Sequence, residues 1–156
     1  MDFEFLKIIT FEVKGRCFAL PSNNVKEIID TLDSVKDVRY GGDILKGVMN
    51  FDGNLISVLD LPALLDMHED ESVSMIIACK DKDMDASVAM LISSIKGIET
   101  IGMSSVTPSQ DDDVEYIQGF LREDENVALL DLKKLLDYAG TRIDSVNHIF
   151  DVSDYN

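Results

Sequence analysis

Apolar and polar residues alternate with period two over most of the chain, the pattern of half-buried strands. Between Lys7 and Lys14, Ile9, Phe11 and Val13 alternate with Thr10 and Glu12, and Lys14-Gly15-Arg16 predicts a turn into a returning strand over 17–20. Pro21-Ser22-Asn23-Asn24 then interrupts the ladder. Asn24 with Glu27 three residues on fits a capping box on one helical turn, while residues 25–29 also fit a strand; the pattern leaves both open. Residues 48–51, Asp52-Gly53 and residues 54–59 predict a hairpin, because Asp-Gly tolerates the positive φ angles of a type I′ turn. Asp60 follows as the cap of a short helix with Pro62 in its first turn and Leu61, Leu64 and Leu65 on its apolar face. The pattern restarts with strands over 73–79 and 86–92 around a turn at 81–85, then an extended stretch to Ile101. Residues 117–121 and 126–130 pair around an acidic turn. Asp131 then caps a helix with Leu132, Leu135 and Leu136 inward, expected to stop at Gly140. The spacing of Ile143, Val146 and Phe150 predicts a further short helix packed on the rest.

The two halves resemble each other. Gly47-Val48-Met49 recurs as Gly119-Phe120-Leu121 at a spacing of 72, and the seven residues from Asp60 to Asp66 recur as Asp131 to Asp137 at 71. A twofold β unit follows. Each copy has too few strands for one large barrel but enough for two small ones packed together, so the expected fold is mainly β with short helices.

Composition narrows the function classes. The 156 residues are 46% apolar, and a chain of this length buries about 70% of its unfolded surface, so it folds without a metal or disulfide staple. Its 30 acidic residues against 14 basic ones give a net charge of −16, which repels phosphate backbones and anionic lipid surfaces. Nucleic acid and membrane insertion are therefore excluded as expectations, and partners are proteins or small molecules. Cys17 and Cys79 stand apart inside apolar runs, without CxxC spacing, and read as buried thiols of a reducing compartment. An acidic start and apolar runs of at most five residues place the chain in the cytoplasm.

Catalytic chemistry finds little support. Nucleotide-binding glycine motifs, a nucleophile elbow and a His-Glu-x-x-His helix are all absent from the sequence. His68 and His148 read as solvated surface residues. Asp81-Lys82-Asp83-Met84-Asp85 opens like a calcium loop, yet Ala86 stands where the turn needs glycine and Ile92 where it needs a bidentate glutamate, so it reads as a hairpin turn. Asp60 lacks the acidic pair and alternating helices of a phospho-acceptor, and Asp131 repeats its position, so both read as helix caps. Asp111-Asp112-Asp113 reads as an exposed loop, and the seven methionines as core filling. No cofactor and no metal site are expected.

Three blocks carry a resemblance to a known family, the CheW-like adaptor domains of bacterial and archaeal chemotaxis. They are Ile8-Ile9-Thr10-Phe11 to Val25-Lys26-Glu27-Ile28, the run from Ile44 to Leu61, and Tyr116-Ile117-Gln118-Gly119 to Leu135-Leu136. The likeness spans about residues 5–138, and the middle block, strand, Asn-x-x-Gly turn, strand and Asp-Leu helix start, is its most specific part. The resemblance implies two five-stranded SH3-like β-barrels packed on each other within one domain of residues 1–156, the first over 1–70, the second over 71–140, and a short helix or tail over 141–156. It also implies a non-enzymatic scaffold, monomeric outside the signalling array. Such scaffolds bind the regulatory domain of a CheA-type histidine kinase and the cytoplasmic tip of methyl-accepting chemotaxis receptors.

Carried over position by position, the resemblance assigns partner contact to Val25 and Glu27, to Lys46 and Gly47 at the start of the hairpin motif, and to Ile95 and Ile98 in a receptor-facing groove. An apolar rim with one lysine and one carboxylate suits a helical receptor tip, aliphatic area supplying affinity and charge fixing register. One position departs from the pattern. Where the family's turn reads Asn-x-Arg-Gly, this chain has Asn50-Phe51-Asp52-Gly53, an anion for a cation, which would meet the carboxylate of Glu27 if the family's arginine pairs there. Asp52 therefore favours a second reading, a diverged module that occupies one interface as competitor or inhibitor. A third, a small β-barrel enzyme or ion-binding protein, rests on the acidic turns alone.

Overall fold

The computed structural model describes residues 4–38, 42–67, 73–110, 114–124 and 126–149, with side chains described through residue 143 in the last stretch. The expectations for His68, for Asp111 to Asp113, for Phe150 and for the side chains of Val146 and His148 lie outside the described residues. The elements run in the order β1 (Phe5–Val13), β2 (Arg16–Pro21), β3 (Val25–Ile29), β4 (Lys36–Asp37), β5 (Leu45–Phe51), β6 (Asn54–Asp60) and α1 (Leu61–Leu64), then β7 (Met75–Cys79), β8 (Val88–Ile92), β9 (Ser94–Gly102), β10 (Val106–Pro108), β11 (Ile117–Leu121), β12 (Val127–Leu130) and α2 (Leu132–Ile149). Residues 22–24 form a 3-10 turn and Val25–Ile29 a strand, so of the two readings open there the strand holds.

Among the described residues twelve strands make two six-stranded sheets, ordered β10-β11-β12-β2-β1-β9 and β3-β7-β8-β6-β5-β4. The fold is mainly β, as expected, and the sixth strand of each sheet is the short β4 or β10. The sheets do not follow the expected division at residue 70. Each half of the chain donates its opening hairpin to the other half's sheet: β1 and β2 join β9 to β12, while β7 and β8 join β3 to β6. The parallel pairs β6·β8 and β12·β2 explain the exchange. A parallel neighbour needs a long crossover, and the chain supplies one through α1 before laying β7 and β8 against β6. The first hairpin takes the equivalent place, β2 lying parallel beside β12.

Alternation along the strands sorts side chains into three cores. Phe11, Val13, Phe18 and Leu20 from one sheet meet Ile77, Cys79, Val88, Met90 and Ile92 from the other, with Leu61, Leu64, Leu132 and Leu135 of the helices, in the main core between the sheets. The alternate positions of the same strands, Ile76, Ala89 and Leu91 with Met49, Ile56 and Val58, fill the inside of one sheet, and Ile8, Ala19, Leu121, Val127 and Leu129 fill the other. β8 is buried on both faces, which is why its sequence is a continuous apolar run.

Local rules set the turns. Lys14 and Gly15 have φ of 50° and 83°, and Asp52 and Gly53 of 53° and 82°, the doubly positive pair of a type I′ hairpin turn. Asp60 Oδ1 accepts the Ala63 N–H at 3.4 Å and Asp131 Oδ1 the Lys134 N–H at 3.1 Å, as N-caps do. Gly140 does not stop α2, contrary to expectation. The inward stripe runs from Ala139 past it to Ile143, and tertiary packing outweighs the roughly 1 kcal/mol that an interior glycine costs. Arg142 then ties α2 to the end of α1, its Nη1 donating at 3.2 Å to the Leu64 carbonyl, to Asp66 Oδ1 and to the Tyr138 hydroxyl.

Candidate functional site

Four of the six residues assigned to partner contact lie on edge strands, Val25 and Glu27 on β3 and Ile95 and Ile98 on β9. Each edge carries a β-bulge. Val25 pairs with Cys79 and Glu27 with Ala78, leaving Lys26 as the extra residue; Ile95 pairs with Phe11 and Gly97 with Thr10, leaving Lys96 extra. Val25 and Ile95 are thus equivalent positions of the repeat, and both are half-buried against the main core, which makes them partly structural. Glu27 is exposed, and Ile98 is 58% exposed, an aliphatic side chain on a free sheet edge. Beside it Lys96 Nζ pairs with Glu12 Oε2 at 2.8 Å, and that hydrogen bond, with the carboxylate's charge, raises the lysine's pKa.

The other two residues stand elsewhere. Lys46 is the extra residue of a bulge in β5, opposite Leu59 and Val58 of β6, and lines a separate cavity of about 400 Å3 with Asp37, Asp43 and Asp60. Gly47 is buried beneath β4, where an added Cβ would overlap the Lys36 carbonyl. Its role is close approach of two backbones. Gly119 does the same under β10, an added Cβ falling 2.6 Å from the Thr107 carbonyl oxygen, after a bulge at Gln118. The structure therefore brings Val25 and Ile95 onto one core, leaves Glu27 and Ile98 at the surface, and sets Lys46 and Gly47 at the β4 edge. Asp52, on the exposed β5–β6 turn, lines a cavity with Lys80 and Asp85 rather than meeting Glu27.

The acidic turn at residues 81–85 closes on itself. Asp81 Oδ2 accepts the Asp83 N–H at 3.1 Å and the Asp81 carbonyl accepts the Met84 N–H at 3.0 Å, the work of a turn residue. Among the described residues no cluster of three or more His, Cys, Asp or Glu side chains could hold a metal ion. Cys79 is buried and its pKa is pushed up to about 12 by burial; Cys17 is only half-buried, unlike the pair of buried thiols expected. Near the second helix, burial raises the Tyr116 pKa, the ring lying 5.1 Å from that of Tyr138. Sequence reasoning passed over Lys80 and Lys82. Reading the turn for its carboxylates hid the two lysines that flank Asp81, although an alternating Lys-Asp-Lys in so acidic a chain was the signal.

No helix among the described residues is long and apolar enough to cross a membrane. The fold matches the crystal structure of the scaffolding protein TtCheW from Thermoanaerobacter tengcongensis with a TM-score of 0.72 and 19% identity, over 85% of this chain and 92% of that one. Curated proteins give no match. The family model described as CheW-like domain matches residues 7–140, from the middle of β1 into α2 and across both sheets. The chain belongs to the CheW-like domain family.

Proposed function

We propose that the chain is a non-enzymatic adaptor of chemotaxis signal transduction that couples methyl-accepting receptors to a CheA-type histidine kinase in the cytoplasm. The single observation that carries this reading is the family match over residues 7–140, which takes in most of β1 and every later strand of both sheets. The surface supports it: a solvent-facing Ile98 flanked by Lys96 and Glu99 on an open edge offers area and charge to a helical receptor tip. Val25, Glu27, Lys46, Gly47 and Ile95 complete the proposed contact set, Val25, Ile95 and Gly47 acting by shaping the strands that carry the others.

Co-elution of the purified chain with the regulatory domain of a CheA kinase and with a receptor tip from the same genome, at low and moderate salt, tests the reading. The expected result is binding to both, with Ile98→Asp weakening capture of the receptor tip while leaving thermal stability unchanged. A folded protein that captures neither sinks the adaptor reading.

Asp52 favours a second reading, a diverged module acting as competitor or inhibitor. A left-handed φ of 53° suits Asp better than Arg, and the charge is the reverse of the family's turn. Asp52→Arg is then expected to change partner preference while Asp52→Asn, which keeps the backbone preference, separates charge from conformation. Identical binding by all three proteins to every candidate kinase and receptor removes this reading.

A further inference from the structure

Four bulges each put one long polar side chain out of the strand ladder: Lys26, Lys46, Lys96 and Gln118. Two of them converge. Lys26, from one sheet, and Gln118, from the other, line the same cavity of about 700 Å3 at the seam between the sheets, together with Lys80, Lys82, Asn23 and Asn24. Bulges that re-aim side chains recur beside binding sites, and this volume falls within the roughly 300–1,000 Å3 of small-molecule pockets.

The charge of the cavity runs against that of the molecule. Three lysines line it in a chain of net charge −16. Its two carboxylates stay anionic while each accepts a backbone N–H at 3.1 Å, Asp81 Oδ2 from Asp83 and Asp131 Oδ1 from Lys134, so the lining carries one net positive charge. The ammonium groups of Lys80 and Lys82 enter no ion pair among the described residues, and Lys26 Nζ is held by the Asn23 carbonyl at 3.4 Å. The walls are fixed, Lys80 N–H donating to the Asn24 carbonyl at 2.8 Å and Gln118 Nε2 to the Leu130 carbonyl at 2.9 Å. Leu6 and Pro21 add an apolar side.

We propose that this seam cavity binds a small organic phosphate of mononucleotide size, its phosphate between Lys26, Lys80 and Lys82 and its organic part against Leu6 and Pro21. A small anion fits better than an acidic protein. Surface charge is screened beyond about 8 Å at physiological salt, so a compact ligand inside the cavity meets the lysines, whereas a large acidic partner meets the whole anionic surface. Lysine supplies point charges suited to phosphate oxygens, and Asn23 adds an amide beside them. The equivalent helix start in the first repeat carries no such site: its cavity has Asp37, Asp43 and Asp60 around the single Lys46.

Isothermal titration of the full chain in metal-free buffer, with ATP, AMP, inorganic phosphate, adenosine and a hexaglutamate peptide as separate probes, tests the proposal. ATP and AMP are expected to bind at one site, adenosine not at all, and inorganic phosphate roughly tenfold more weakly than AMP, since it leaves the apolar side unused. Lys82→Ala, and Lys80→Ala with Lys82→Ala, should weaken AMP binding by about tenfold per lysine removed, the loss of one charge-assisted contact each, while Lys36→Ala on β4 changes it by less than about twofold. The proposal is overturned if neither nucleotide binds at about 1 mM, or if Lys36→Ala weakens binding as much as Lys82→Ala. It is equally overturned if hexaglutamate binds as tightly as ATP, which would make the cavity a docking site for an acidic protein segment.

Discussion

The two repeats solve the same backbone problem in the same way and then diverge at their helices. In each, a bulge precedes a buried glycine that lets a short edge strand pair at close range, Gly47 against β4 and Gly119 against β10. In each, an aspartate at the strand-to-helix junction caps the helix and donates its N–H at 2.8 Å to a carbonyl just before the hairpin, Ile44 for Asp60 and Tyr116 for Asp131. Beyond that point α1 runs four residues and α2 eighteen, and the cavity beside one helix start is acidic while the other is lined by lysines. The repeated features make the fold possible. The features that differ are free to carry partner choice and ligand choice, and they are where function is to be sought.

Breaking the shared device gives the largest expected effect. An alanine Cβ at Gly47 would overlap the Lys36 carbonyl, and at Gly119 it would sit 2.6 Å from the Thr107 oxygen; in both cases the obstacle is backbone, which cannot rotate away. Gly47→Ala and Gly119→Ala should each cost about 3 kcal/mol, with Gly47→Ala the worse of the two, read from urea denaturation midpoints at constant m. Equal stability of either variant with the parent would show that β4 or β10 is dispensable.

The next prediction concerns what the repeats do not share. Arg142 joins the long helix of one repeat to the end of the short helix of the other and lies with its guanidinium 5.7 Å from the Tyr138 ring centre. Its ion pair with Asp66 is exposed and adds little, so Arg142→Ala should cost about 1–2 kcal/mol through the lost Leu64 carbonyl contact and the lost packing. Cutting the chain after Gly140 removes Ile143 as well and should lower the melting temperature further. An unchanged melting curve would mean that the extension of α2 is idle.

Much of this was legible in the sequence. The hairpin at Asp52-Gly53, the Asp60 and Asp131 caps and the glycine repeat all rest on local backbone rules, and local rules need no tertiary information. The exchange of hairpins between sheets was not legible, because β1 and β7 have the same alternation whichever sheet they join. The run of α2 through Gly140 was hidden for a related reason: a glycine reads as a stop unless the core that continues past it is known. Of the candidate site, the solvent-facing Ile98 and the half-buried Val25 look alike as letters, and only the register of the edge strands separates them.

The two caps sharpen the comparison at smaller scale. Asp131→Ala frees the first turn of an eighteen-residue helix and should cost about 1 kcal/mol, whereas Asp131→Asn, which still accepts the Lys134 N–H, should recover most of it. A charge effect alone would make the alanine and asparagine variants equal.

The smallest expected effect separates the two exchanged hairpins. Each holds one cysteine, but Cys79 on β7 is fully buried in the main core whereas Cys17 on β2 is half-buried beside solvent. Burial raises the Cys79 pKa from 9.0 to about 12, so the folded state binds this proton more tightly than the unfolded chain does. The stability this contributes is complete below about pH 9 and is lost as pH rises through the window from about 9 to about 12. The loss amounts to about half a kcal/mol near pH 9 and grows above it. Cys79→Ala should lower stability at neutral pH by removing a packed sulfur, yet flatten the alkaline slope of the denaturation midpoint. Cys17→Ala should leave that slope in place. A thiol reagent at neutral pH should correspondingly modify Cys17 alone in the native protein; modification of Cys79 at an equal rate would mean that the core between the sheets opens far more readily than its packing implies.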